Sequence, residues 1–327
     1  MLVGEPCPDD EAALLELIAQ PVGAPWTTAC ELPAGLQAGL ATYGERVAIA
    51  VARAHGRVIG CGVRAVRPVW WEGRPAWLGY RTLLRCAPTV SPWRLPALLA
   101  ACHAHLEAAR APDELPWDLT SILADNRPAR RLLTRGLPGV PAYQELGPMV
   151  ARLLPARGGT GDGRPAVAAD RDALTALLMP RADEQLLPRT DLASLAGWLV
   201  QGPVGAPQAC LRLTDQRGRR RARLVALPVA LRRCRLLVNL LPTGFPALPA
   251  PGARLDEGFL DHVRAAPGQD GLLPGLVRHA MTCARAAGLR VVVTMCAPGG
   301  RPVAANWYAV GVPVVVHGRL DQAAASL

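Results

Sequence analysis

The order of helical and β-like segments in this chain of 327 residues runs through once and then begins again, and that repeat limits the possible folds more than any single motif. In the first pass, apolar spacing predicts helices over 11–19 and 36–43. Strands follow over 47–53, 57–66 and 76–86. Next come a strongly apolar helix over 95–110, a strand over 117–123, a helix over 125–135 stopped by Gly136, and a strand over 140–146. The second pass reads helices over 170–179 and 191–200, then strands over 209–214, 223–229 and 235–241. A Pro/Gly-rich connection covers 243–270, followed by a helix over 272–287, a strand over 291–295, a short helix over 302–310 and a strand over 312–317. The long helices begin at Leu95 and Leu272, and the helix-ending glycines are Gly136 and Gly311. Landmarks that return at near-equal spacing indicate a duplication, carried by element order because residue identity between the halves is weak. The Gly-rich stretch inside 155–165 reads as a linker, which divides the chain into domains 1–154 and 166–327. Two domains also suit the length.

Half the residues are hydrophobic, enough for two cores, and the net charge of +10 is carried by arginine. A basic balance favours an anionic partner or cofactor. The dense run Arg217, Arg219, Arg220, Arg221 and Arg223 around Gly218 reads as a solvated hairpin tip. Nine cysteines form no C-x-x-C pair and, with six histidines, no zinc spacing. This points to reduced thiols, a cytoplasmic setting and no metal. The first ten residues lack the pattern of a signal peptide, and no apolar run reaches the ~18 residues of a membrane span, so no membrane partner is expected.

One segment is more specific. In Leu119-Thr-Ser-Ile-Leu-Ala-Asp-Asn-Arg-Pro-Ala-Arg-Arg-Leu-Leu-Thr-Arg-Gly136, a strand runs into an Asn-x-x-Ala helix, Asn126 to Ala129, that ends in glycine. Upstream, 69–79 places a Gly-Arg turn before the central strand. These features resemble the GNAT N-acyltransferase superfamily, and the two-half layout is similar to its tandem members. The resemblance implies an α/β (α+β) fold of two tandem GNAT-like domains, each a mixed, splayed central sheet flanked by helices. It implies acetyl-CoA or another acyl-CoA as co-substrate, held where two central strands part and where the next helix aims its N-terminus at the pyrophosphate. Mapped onto this sequence, the carrier-binding positions are Leu83, Leu84, Arg85, Arg94 and Asn126 in the first half, and Gly268, Gln269, Gly271 and Asn306 in the second. Both phosphate loops depart from the family's Gly-rich pattern. The stretch 90–97 has no glycine and carries Pro92 and Pro96, while 267–275 keeps glycines out of register beside Asp270.

Acyl transfer to an amine needs a base for the amine and an acid for the leaving thiolate. The family's acid is a tyrosine on the helix after Asn-x-x-Ala. The first half has Leu132 and Leu133 there, whereas the second has Asn306-Trp-Tyr308, so Tyr308 is the expected acid. Asp118, between Trp117 and Leu119 on the strand beside the cleft, is the expected base, with a raised pKa. The function expected is an N-acyltransferase acting on an amine of a small molecule or peptide. Two alternatives remain: a catalytically degenerate GNAT-like binding or regulatory protein, and a transferase that takes its acyl group from an aminoacyl-tRNA.

Overall fold

The computed structural model describes residues 1–22, 27–123, 126–141, 143–181, 184, 186–240, 247–296 and 309–317. The first half contains β1 (Leu2–Gly4), α1 (Glu11–Ile18), β2 (Thr27–Glu31), α2 (Leu36–Leu40), β3 (Arg46–Ala54), β4 (Arg57–Trp71) and β5 (Arg74–Cys86). It continues through α3 (Leu95–Ala108), β6 (Glu114–Ser121), α4 (Arg127–Thr134) and β7 (Tyr143–Pro155). The second half contains β8 (Arg164–Pro165), α5 (Arg171–Leu178), β9 (Leu186–Pro188), β10 (Trp198–Gln201), β11 (Ala209–Asp215), β12 (Arg221–Ala226) and α6 (Val229–Leu240). It ends with β13 (Glu257–Ala265), α7 (Leu273–Ala286), β14 (Val291–Cys296) and β15 (Ala309–His317).

One mixed sheet joins both halves in the order β1-β3-β4-β5-β6-β15-β7-β14-β13-β11-β10-β8, with β9 on the edge of β4. Each half lends its last strand to the other. β15 enters the first half between β6 and β7, and β7 pairs over Val150–Pro155 with β14 of the second. A separate ribbon, β2 with β12, ties the halves a second time. On one face of the first half, α1 buries Leu14, Leu17 and Ile18 against Val51, Cys61, Val63 and Leu83. α3 covers the other face with Leu98, Cys102 and Leu106 against Ala50 and Ala52. In the second half α7 and α5 take the matching places. Each fully buried aliphatic side chain contributes about 1.5–3 kcal/mol, so these faces hold the sheet between helical layers.

The structure also reveals identity at structurally matched positions. Gly79-Tyr80 and Gly258-Phe259 open matching stretches of β5 and β13. Ala87-Pro88 and Ala266-Pro267 follow those strands, and Leu95-Pro96 and Leu273-Pro274 start α3 and α7. Asp10 and Asp170 do the same job before α1 and α5. Each accepts the amide three residues back, Cys7 at 2.7 Å and Val167 at 2.9 Å, and each clamps an arginine, Arg53 or Arg164.

Several expectations are corrected. The strand expected over 235–241 is part of helix α6, whose half-buried Leu231, Arg235, Val238 and Asn239 follow a helical period. The helix expected over 191–200 is a turn leading into β10. The connection over 243–270 contains the central strand β13, hidden from the sequence by a bulge that interrupts its alternation. β15 begins at Ala309, where a helix was expected. The basic run is no free tip. Arg223 pairs with Glu31, Arg217 with Asp215, and Arg220 is held between the rings of Tyr43 and Phe259. The Gly-rich stretch is a strap on α7: a Cβ on Gly161 would stand 2.3 Å from the His279 amide nitrogen, and Thr282 Oγ1 donates to the Gly159 carbonyl at 3.1 Å. Glycine is required there by backbone contact as well as by flexibility.

Candidate functional site

The two halves part their central strands in the same way. β5 and β6 run parallel and pair from Trp77/Glu114 to Arg81/Thr120, where Thr120 Oγ1 closes the apex by donating to the Arg81 carbonyl at 2.8 Å. β5 then continues to Cys86 without β6. β13 and β14 pair from Glu257/Val291 to Phe259/Val293, and β13 continues to Ala265. Just past each apex β5 and β13 carry one extra residue against β4 and β11, and a non-glycine residue takes positive φ: Leu83 at 50° and His262 at 50°. The same type of neighbour meets each bulge, with Cys61 Sγ 3.6 Å from the Leu83 carbonyl and Cys210 Sγ 3.9 Å from that of His262.

Strand geometry fixes what faces each gap. The Ala87 amide donates to the Ile59 carbonyl at 2.8 Å, which makes Cys86 a non-hydrogen-bonded position toward β4. Its own N–H and C=O therefore point into the first gap. Ala265 is the equivalent residue, set by the bond from Ala266 N to Gln208 O at 2.7 Å. There the symmetry ends. Arg181 donates to the Ala265 carbonyl. Arg264 bonds the Leu177 and Met179 carbonyls at 3.0 Å each and pairs with Glu184. The Asp162 carboxylate, on the strap, already lies against the first turn of α7, 3.1 Å from where a Cβ on Gly275 would stand. It supplies a negative charge at the positive end of that helix.

The first gap is less committed. Arg85, the equivalent of Arg264, bonds only the Leu84 carbonyl through Nη1 at 3.1 Å among the described residues, and its Nε is buried without an acceptor. Buried guanidinium nitrogens are normally satisfied, so a ligand acceptor fits there. The first turn of α3 has no acidic side chain. Beside it a recess of about 570 Å³ is lined by His55, Thr89, Ser91 and Arg94 with no carboxylate. Trp93 next to it is 92% exposed. A smaller recess of about 420 Å³, between Trp70, Arg171 and Arg189, lies by the far end of β5 from Cys86.

Leu83, Leu84 and Arg85 lie on the part of β5 beyond its pairing with β6, and Arg94 lines the recess before α3. Asn126 caps α4 by accepting the Ala129 amide at 3.2 Å. Gly268, Gln269 and Gly271 form the surface turn before α7. Asn306 and Tyr308 lie outside the described residues. The raised pKa expected of Asp118 is corrected: its buried carboxylate accepts from Arg64 at 2.9–3.1 Å and Arg81 at 2.6 Å, with Arg110 at 3.2 Å. Burial pushes that carboxyl up, but the guanidinium groups outweigh it and hold it at about 2. The network extends through Arg81 to Glu107 and His103, and Tyr143 Oη lies 2.9 Å from His103 Nε2. Gly79 makes room for it, since a Cβ there would stand 1.9 Å from Asp118 Oδ1. On the opposite face of β5, Tyr80 Oη lies 2.5 Å from Ser121 Oγ. This protic pair beside the apex went unrecognised in the sequence, where the only signal was the aromatic after Gly79 that recurs after Gly258.

No protein-family model and no curated protein sequence matches the chain. Solved structures do. Saccharomyces cerevisiae N-myristoyltransferase with bound myristoyl-CoA aligns over 97% of this chain and 82% of its own, with TM-score 0.57 at 9% identity. A GCN5-related N-acetyltransferase from Sphaerobacter thermophilus aligns over 96% of this chain and 94% of its own, with TM-score 0.55 at 12% identity. A GCN5-related glucosamine N-acetyltransferase region of a fungal multi-domain β-N-acetylglucosaminidase aligns over 96% of this chain and 38% of its own, with TM-score 0.57 at 12% identity. The chain has the mixed α/β fold of the GNAT superfamily.

Proposed function

We propose that this protein is an acyl-CoA-dependent N-acyltransferase whose thioester carrier enters the gap between β5 and β6. The observation that carries this reading is the contrast between the two gaps. The first presents the Cys86 main chain, the uncommitted Arg85 Nε and an acid-free helix start, while the second carries Arg181, Arg264 and Asp162 at the same places. Leu83 to Cys86 would receive the extended arm as a neighbouring strand would. Arg94, with Ser91, would meet the phosphates, so that side-chain charge replaces the glycine-rich amide cradle. The similar structures, among them one with bound myristoyl-CoA, support the choice of carrier class.

The bound thioester supplies an activated acyl carbon. Around it, Tyr80 with Ser121 offers a proton at the apex to the leaving thiolate, and Asp118 holds Arg64 and Arg81 rigid behind the strand pair without entering the chemistry. Tyr308 is the second proposed proton donor, on resemblance. The acceptor is an amine of a small molecule or peptide. Residues 1–154 and 166–327 are proposed as the two domains. A cytoplasmic setting is proposed from the reduced cysteines. Eight of the nine cysteines are free thiols, and among the described residues no group of side chains forms a metal site and no helix is long and apolar enough to cross a membrane.

The test is thermal unfolding with acetyl-CoA, myristoyl-CoA and free CoA in turn. Ligand at a hundred times its dissociation constant stabilises by about 2.7 kcal/mol, a readily measured rise in Tm. The reading expects a rise with at least one thioester that Arg85→Met and Arg94→Gln reduce. A flat response to every thioester removes it.

A further inference from the structure

β5 and β13 lie five strand-steps apart in the sheet, about 24 Å if it were flat. Yet an unbroken chain of contacts joins them. The Arg67 guanidinium stands 5.6 Å from the Tyr80 ring and donates through Nε to the Tyr43 carbonyl. The Arg220 guanidinium stands 4.7 Å from the Tyr43 ring and 5.7 Å from the Phe259 ring. The sheet therefore curls, and the β2–β12 ribbon closes the curl from the side. Tyr80 and Phe259 each lie at the apex of a gap, so the face that these contacts span adjoins the place where the acyl carbon would stand.

The charges on this face are unequal. Arg67, Arg212 and Arg220 contribute three guanidinium groups, and among the described residues none of them is in an ion pair within 4.0 Å. Arg212 stands opposite Asp261 in the β11–β13 ladder. The acids on the same face of β13 are Glu257 and Asp261. Burial pushes both carboxyls up, that of Asp261 to about 6 although 47% of its side chain is open. Arginines held apart from carboxylates suit a planar or tetrahedral anion.

We infer that the amine acceptor itself carries a carboxylate or phosphate group, held on this face of the curled sheet by Arg67 and Arg212. The inference rests on the acyl-carrier reading for the reaction but not for the binding. In the reaction the amine nitrogen forms the C–N bond to the acyl carbon and the C–S bond breaks. The thiolate leaves with the electron pair and takes a proton, and the amine gives one up. Tyr80 is placed to supply the thiolate's proton, and the proton the amine gives up passes to solvent.

The test uses the full chain with two matched pairs of amines: glycine with glycinamide, and O-phosphoethanolamine with ethanolamine. Thiol release from acetyl-CoA gives kcat/KM, and calorimetry without acetyl-CoA gives the amine dissociation constants. The charged member of at least one pair should exceed its neutral partner about tenfold in binding, and in kcat/KM where turnover occurs. Arg67→Gln should abolish that preference, and Arg67→Lys should restore part of it. The pair that shows the preference separates a carboxylate from a phosphate. Equal binding within both pairs, no binding of either charged amine, or a preference that survives Arg67→Gln overturns the inference. Titration with acetyl-CoA alone is scored separately, so failure of the carrier reading is distinguishable from failure of this one.

Discussion

Replacing Asp118 with asparagine keeps its shape and removes its charge, leaving the buried Arg64 and Arg81 without their shared counter-ion. The Arg64 side chain is 1% accessible and that of Asp118 is fully buried. Removing one partner of such a pair costs about 3–5 kcal/mol. Glu114 and Glu107 still pair with the two arginines, so the lower end of that range, about 3 kcal/mol, is expected. In urea titration the midpoint should fall by about 1 M if m is about 3 kcal/mol/M. Asp113→Asn is the control. Its bridge to Arg46 joins side chains 52% and 41% accessible, so its urea midpoint should scarcely move. Transfer per folded molecule should change little in Asp118→Asn. Unchanged stability with transfer reduced about a hundredfold, the loss typical of a missing general base, would refute the structural role and restore Asp118 as the base.

Gly79→Ala should destabilise more than Gly4→Ala in β1, because its Cβ meets Asp118 and Arg64 at 1.9 and 2.6 Å while Gly4 faces open space; urea midpoints compare them. Acid unfolding should set in as pH falls below about 4. Asp118 and Asp10, held at about 2, and Asp170, held lower still, stabilise the fold above the unfolded carboxylate range and lose that contribution as each protonates, which circular dichroism against pH would follow. A chain ending at Tyr308 should lose the fixed packing of the first half, since β15 is the strand between β6 and β7; near-ultraviolet dichroism and loss of amide protection in β6 would show it. Gly161→Ala should weaken the docking of the strap on α7 and speed proteolysis across 156–163.

The fold was legible where local chemistry and long-range packing agree. Asn126 was readable as a helix cap, and α3 and α7 as apolar helices, from neighbouring residues alone. β13 was not, because its bulge at His262 breaks the two-residue alternation and prolines flank it. The strand exchange was out of reach, since nothing near β15 states that its partner is β6, nearly two hundred residues away. At the site, the gap-lining run Leu83 to Arg85 followed from the resemblance. The character of Asp118 did not, because it is set by Arg64 and Arg81, which lie 54 and 37 residues away in the chain. Tyr80 was overlooked because a lone aromatic in a central strand usually reads as core.

The bare main chain at the end of β5 is proposed to take an acyl thioester, and that of β13 is not. Amide hydrogen exchange at saturating acetyl-CoA or myristoyl-CoA addresses both strands at once. Slowed exchange confined to 82–86, with 260–265 unchanged, is the expected result. Protection confined to 260–265, or absent from both, would contradict it.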